Sequence, residues 1–195
     1  MSYPEYVEVK NKRYKINTDF RIAIKCDSVA KNTDISDYER ALAVIYLLFG
    51  EVALKDINNH NELLILAKKF LSCGKEENSN TDNEELDMDF NQDMDYIEAS
   101  FMSDYGIDLT AIKMHWWKFS NLINGLSNSE FGNCCVLNRI RNLRNLDTKE
   151  IKDTKEKQRI EKAKKMVALK KGQKKREYTD QEKQNINEFY QNISM

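Results

Sequence analysis

One proline, Pro4, and six glycines are all the strong punctuation in 195 residues. Proline and glycine interrupt local structure more sharply than any other residues, so their scarcity favours long helices over a turn-rich β fold. Three helix starts are also spelled out, as capping boxes at Ser36–Glu39, Ser127–Glu130 and Thr179–Glu182. In each, the hydroxyl takes an amide hydrogen from the first turn and the carboxylate reaches back to the cap amide. That satisfies donors which a helix start otherwise leaves bare.

Apolar spacing fills in the helices. Behind Ser36, the residues Ala41, Leu42, Val44, Ile45, Leu47, Leu48 and Phe49 are apolar nearly all round, which predicts a central buried helix. "NELLILAKKFLSCG" predicts a shorter amphipathic helix with Gly74 as its C-cap. From Asp93 onward, Tyr96, Ile97, Ser100 and Phe101 keep helical spacing until Gly106 breaks the chain. Asp108 can then cap "LTAIKMHWWKFSNLINGL", where Ile112, Trp116, Phe119, Ile123 and Leu126 form one stripe. The box at Ser127 predicts a helix through Phe131, Cys134, Leu137 and Arg141. The start is the exception. "YVEVKNKRYKI" alternates Val7, Val9, Tyr14 and Ile16 around Lys10-Asn11-Lys12, as a β-hairpin does. "FRIAIKC" fits strand and helix alike; we favour a helix capped near Thr18 or Asp19.

The net charge of -1 hides an asymmetry. Residues 75–108 hold twelve acids and one lysine, whereas 149–177 hold thirteen basic residues and five acids. Such blocks point to self-neutralisation or a charged partner. "KEENSNTDNEEL" has no periodicity and reads as a solvated, mobile loop. In 149–177, Ile151, Ile160, Val167 and Leu169 are too sparse for a heptad seam, which predicts an exposed helix or partly ordered tail. Beyond it, Ile186, Phe189, Tyr190 and Ile193 make an apolar stripe behind the third box. A short amphipathic helix on a charged tether either docks back or receives a partner. The expected fold is mainly α. A compact multi-helix domain, 1–147, carries a short N-terminal hairpin and an acidic mobile loop near 75–90; 148–195 form a charged helical tail.

Chemistry is harder to find. "DMDFNQDMDYIE" places Asp87, Asp89, Asn91, Asp93 and Asp95 on alternate positions, with Glu98 twelfth, as in an EF-hand. Gln92 stands where that loop needs glycine, and a polar linker precedes it instead of a helix. Acids favouring a helix's positive end account for the stretch better. No metal or cofactor is expected. Cys26, Cys73, Cys134 and Cys135 make no C-x-x-C pair, and His60 and His115 lie far from them. Phosphate-cradle, zincin and nucleophile-elbow motifs are lacking. His115, inside an aromatic run, reads as a packed residue. Arg139, Arg141 and Arg144 read as surface groups or ion-pair partners for the acidic segment, and no nucleic-acid ligand is expected. "MSYPEY" has no leader character, and no apolar run approaches the roughly 20 residues of a membrane span. We expect a non-enzymatic protein of a reducing cytoplasm, bound to no membrane.

Trp117 leaves the apolar stripe of its helix and projects with Lys113, Ser120, Asn121 and Asn124. It either packs under the hairpin or acidic loop, or anchors a partner, a role in which tryptophan is enriched. The candidate partner-binding residues are therefore Trp117 and Asn121, with Ile186, Phe189, Tyr190 and Ile193 of the tail.

Three stretches, "INTDFR", "DYIEASFMSDYGIDL" and "HWWKFSNLINGL", resemble the phage gene-product-fifteen family of tail proteins. The likeness spans roughly residues 13–146, and "HWWKF" beside "YGIDL" is its most specific part. Such genes typically lie between those of the major tail tube and tape-measure proteins. The resemblance implies a tail-assembly chaperone in the bacterial host cytoplasm, coating the tape-measure protein before the tube polymerises. The alternative is a minor structural part of the phage tail; a metal-dependent enzyme using 87–98 ranks below both. The resemblance brings no catalytic residues. Self-association through the tail remains open beside the tape-measure partner.

Overall fold

The computed structural model describes residues 3–75, 87–129 and 133–170. Residues 76–86 of the loop expected near 75–90, Glu130 of the second box with Phe131 of its helix, and the third box with its stripe from Ile186 to Ile193 lie outside the described residues. Among those described, seven α-helices follow one hairpin.

Strands β1 (Tyr6–Val9) and β2 (Lys12–Lys15) pair antiparallel, with Val7 opposite Tyr14 and Val9 opposite Lys12. Lys10 and Asn11 turn the chain with φ of 45° and 66°. Two consecutive positive φ values match the right-handed twist of the flanking strands. Val9, Tyr14 and Ile16 are buried, so the expected alternation does face the core.

Helix α1 (Phe20–Lys31) starts at Asp19, whose Oδ1 accepts from the Arg21 amide at 2.9 Å. The ambiguous segment is thus helical. Helix α2 (Asp37–Leu54) opens on the Ser36–Glu39 capping box, present in both directions. It lies between α1 and α3 (His60–Leu71). It is central but not buried all round: Tyr46 and Val52 face outward at 53% and 76% exposure. Gly50, with φ of 78°, kinks it near its end. A 3-10 turn at Ile57–Asn59 leads into α3. That helix stops at Leu71; the chain leaves through left-handed Cys73 and Gly74, and the Gly74 amide returns to the Lys69 carbonyl at 2.8 Å. Gly74 is therefore not the C-cap itself, which is Ser72; it takes part in the left-handed exit two residues later.

Helix α4 (Met94–Tyr105) ends at left-handed Gly106. The next helix is shorter than expected: α5 is Trp116–Asn124, not 109–126. Asp108 does cap something, but only a turn, accepting from the Thr110 amide at 2.8 Å. Residues 112–115 stay non-helical because their backbone is engaged elsewhere. The Met114 carbonyl accepts from the Phe20 amide, and His115 pairs with Asp19 in an antiparallel bridge. Ile112 is consequently 38% exposed and drops out of the stripe, whereas Trp116, Phe119, Ile123 and Leu126 are buried.

Helix α6 (Val136–Asn145) also starts late, at Cys135 rather than at the Ser127 box. Its amides have better partners on α4: Ser100 Oγ accepts from the Leu137 amide at 2.9 Å. The Ser127 amide meanwhile donates to Asp104 at 2.8 Å. Helix α7 (Thr154–Val167) packs along α6 and buries none of its residues. It is the exposed charged helix that the basic composition predicts. The core centres on Phe119, fully buried, whose ring stacks on Phe20 at 4.5 Å and on Phe101 at 5.2 Å.

Candidate partner-binding face

The two tryptophans opening α5 do one job twice. Trp116 Nε1 donates to the Leu71 carbonyl at 2.9 Å, and Trp117 Nε1 donates to the Phe70 carbonyl at 2.8 Å. The last carbonyls of a helix lack intrahelical donors, so the indoles cap α3 from its side. Trp116 is buried, and its ring also meets Phe90 and Phe119. Trp117 is half-buried, with its ring 6.2 Å from Phe70 and its tip against Gly74. A Cβ at Gly74 would stand 3.3 Å from Trp117 Cη2, so the left-handed exit of α3 also leaves room for the indole. Trp117 packs on the end of α3 and faces the N-terminal strap.

That strap is Tyr3–Glu5. Tyr3 stacks on His115 with centroids 4.8 Å apart and stands edge-on to Trp117 at 6.3 Å. Its hydroxyl is 3.5 Å from Asn121 Nδ2, on exposed surface. His115 is half-buried and acts as the N-cap of α5, its Nδ1 accepting from the Trp117 amide at 3.0 Å. With Nδ1 accepting, Nε2 is the ring nitrogen that donates to the Pro4 carbonyl, at 3.0 Å. Packing is therefore the role His115 fills here, and the packing holds a helix start and a strap together. Of the sequence-predicted partner residues, the structure brings Trp117 and Asn121 onto one face with Tyr3, His115 and Phe70. Ile186, Phe189, Tyr190 and Ile193 lie outside the described residues. Tyr3 and Phe70 were not legible as members of this face, since nothing in their local spacing points at residue 117.

Three acids of the stretch, Asp87, Asp89 and Asp93, bind protein partners. Asp89 Oδ1 accepts from the amides of Asn91 and Gln92, and Asp89 pairs with Lys31 at 3.0 Å. Asp87 accepts from Arg141 at 3.0 Å. Asp93 is fully buried and bidentate to Arg144, at 2.7 and 2.6 Å, and makes no side-chain cap bond to α4. Of these acids only Asp95 occupies the first turn of α4. The helix-entry account thus holds in part, for Asp93 at the N-cap position and Asp95 in the first turn, while Asp87 and Asp93 also receive α6 arginines, as the alternative for Arg141 and Arg144 supposed. Its residues 87–90 belong to the packed body, and Phe90 lies against Trp116 and Phe119. Glu98, the twelfth position, sits in the second turn of α4. Among the described residues, no three His, Cys, Asp or Glu side chains are grouped to hold a metal ion.

The stretches that carry the family likeness meet in one place. Thr18 O accepts from the Trp116 amide at 2.7 Å, tying "INTDFR" to "HWWKF". Arg21 reaches the carbonyls of Leu109 and Ile112, tying the same stretch to the loop after "YGIDL". Phe20, Phe101 and Phe119, one from each stretch, stack in sequence in the core. Their spacing in sequence is wide because they make one junction of α1, α4 and α5.

No curated protein and no solved structure matches the chain. The family described as Bacteriophage Gp15 protein matches residues 2–169, which takes in the hairpin, all seven described helices and the junction. The chain belongs to this bacteriophage family.

Proposed function

We propose that this phage protein is a tail-assembly chaperone that binds the tape-measure protein in the bacterial host cytoplasm, without catalysis. The observation that carries the reading is the aromatic face on α5. It lies within the most family-specific stretch, yet Trp117 remains half-buried beside exposed Tyr3 and Asn121. Aromatic side chains that keep one side accessible supply large contact area at small entropic cost, which suits gripping another chain. The helical body, with no helix long and apolar enough to cross a membrane among the described residues, is compatible with that task. A chaperone leaves when assembly ends, so mass spectrometry of purified tails should find tape-measure and tube proteins without this chain. A fixed stoichiometric amount in the finished tail would instead make it a minor structural component.

A further inference from the structure

Tyr3 occupies its position in a way that describes what the surface beneath it accepts. The dipeptide Tyr3-Pro4 lies beyond the end of β1, and its nearest backbone anchor is Glu5, whose carbonyl accepts from the Ile16 amide at 2.8 Å. Ahead of that anchor, the strap is held by the hydrogen bond from His115 to the Pro4 carbonyl, by Tyr3 stacking on His115 and standing edge-on to Trp117, and by the long Asn121 hydrogen bond to the Tyr3 hydroxyl. The residues beneath it also have anchors of their own. Trp117 is fixed by its bond to Phe70 O, His115 by its bond to the Trp117 amide, and Phe70 is buried in the core. The receptor residues are thus held by bonds within the body, and the strap by its contacts to them. A flat imidazole, an indole edge and a carboxamide at the rim match an aromatic ring bearing a hydroxyl. The Nε2 donor of His115 matches a carbonyl one residue further along an extended chain.

We propose that the face of Phe70, His115, Trp117 and Asn121 is a receptor for an aromatic side chain on an extended segment of a tail partner, and that Tyr3-Pro4 fills it in the free chain. The proposal rests on the partner-binding role given above and adds the chemistry of the contact. A partner must displace Tyr3, so apparent affinity is reduced by the fraction of molecules with the strap closed.

The test needs no tail protein, so its failure is distinct from a failure of the tape-measure reading. The probes are the peptide MSYPEYVE, copied from residues 1–8, and the same peptide with alanine at its third position. Each is titrated into the full chain as wild type, Tyr3→Ala and Tyr3→Phe, reading the Trp117 indole and Asn121 side-chain amide signals by NMR. In Tyr3→Ala, the tyrosine peptide should shift both signals at least about five-fold more than in wild type. Tyr3→Phe keeps the ring and should behave as wild type, and the alanine peptide should shift neither signal. Shifts absent from Tyr3→Ala, equal in wild type and Tyr3→Ala, or produced equally by the alanine peptide would overturn the proposal.

Discussion

Asp93 gives up all its contact with water, and that is tolerable only because Arg144 grips both its oxygens. Bidentate Arg–carboxylate geometry recovers much of the lost hydration, but removing one partner strands a buried charge. Arg144→Met should therefore cost about 3–5 kcal/mol in chemical denaturation. Arg139→Met, at an exposed position of the same helix, should stay within about 0.5 kcal/mol. Equal small losses would mean the pair is incidental. Trp117 offers a narrower test, because its indole N–H caps the Phe70 carbonyl while the ring packs on α3. Trp117→Phe keeps a ring and deletes the donor, and should cost about 1 kcal/mol in thermal or chemical unfolding. No change in stability would leave Trp117 purely a surface residue. Asp56 ties the hairpin to the α2–α3 joint, accepting from Lys12 and from the Tyr14 hydroxyl, each at 2.6 Å. The Lys12 hydrogen bond, then that of Tyr14, holds the Asp56 carboxyl down at about 2, from an ordinary 3.8. A depressed carboxyl stabilises the fold above its unfolded pKa, and the contribution is lost as pH falls through the folded one. The stability gap between wild type and Asp56→Asn should be full above about pH 5 and should shrink towards pH 2. A gap independent of pH across that window would show that the charge on Asp56 does no stabilising.

Helix α7 illustrates what decides order at the scale of an element. It has fourteen residues, buries none of them, and is held near its end by Arg144 to the Val167 carbonyl and by Gln92 to the backbone of Lys170. Helices of about 12–15 residues are marginal alone in water, so its amides should open locally far more often than those of α4. Hydrogen exchange should show α7 exchanging at least about a hundred-fold faster than the α4 segment Ile97–Phe101, which is buried against α6. Comparable protection would mean that α7 is integral to the body. The elements most legible in sequence were those whose signals are local: the Ser36 box, the Lys10-Asn11 hairpin turn, and Gly106 as a helix end. The helices that start late, α5 and α6, are those whose amides are satisfied from elsewhere in the fold. Met114 and His115 pair with the start of α1, and Ser100 takes the first turn of α6. A capping box announces only the partners it can supply itself. Trp117 was legible as an outlier from its stripe, but Phe70, Gly74 and Tyr3, its neighbours, come from other elements.

For the whole molecule, the family-like stretches and the candidate face are two sides of one construction. The inner side is the Phe20–Phe119–Phe101 stack, which joins α1, α4 and α5. The outer side is Trp117 with His115 and Asn121, on the same helix start whose Phe119 is fully buried in that stack. In the acidic stretch, which invites a metal reading, Asp87 and Asp93 hold α6 to the body through Arg141 and Arg144, and Asp89 pairs with Lys31 of α1. The proposed function uses the outer side as a binding surface, and the proposed partner is the tape-measure protein. The most direct measurement is co-expression of this chain with the tape-measure protein of the same phage, followed by affinity capture and size exclusion. The account predicts that the two elute together, and that Trp117→Ala, while still eluting as a folded protein, retains much less of the partner. Clean separation of the wild-type chain from the tape-measure protein would contradict it.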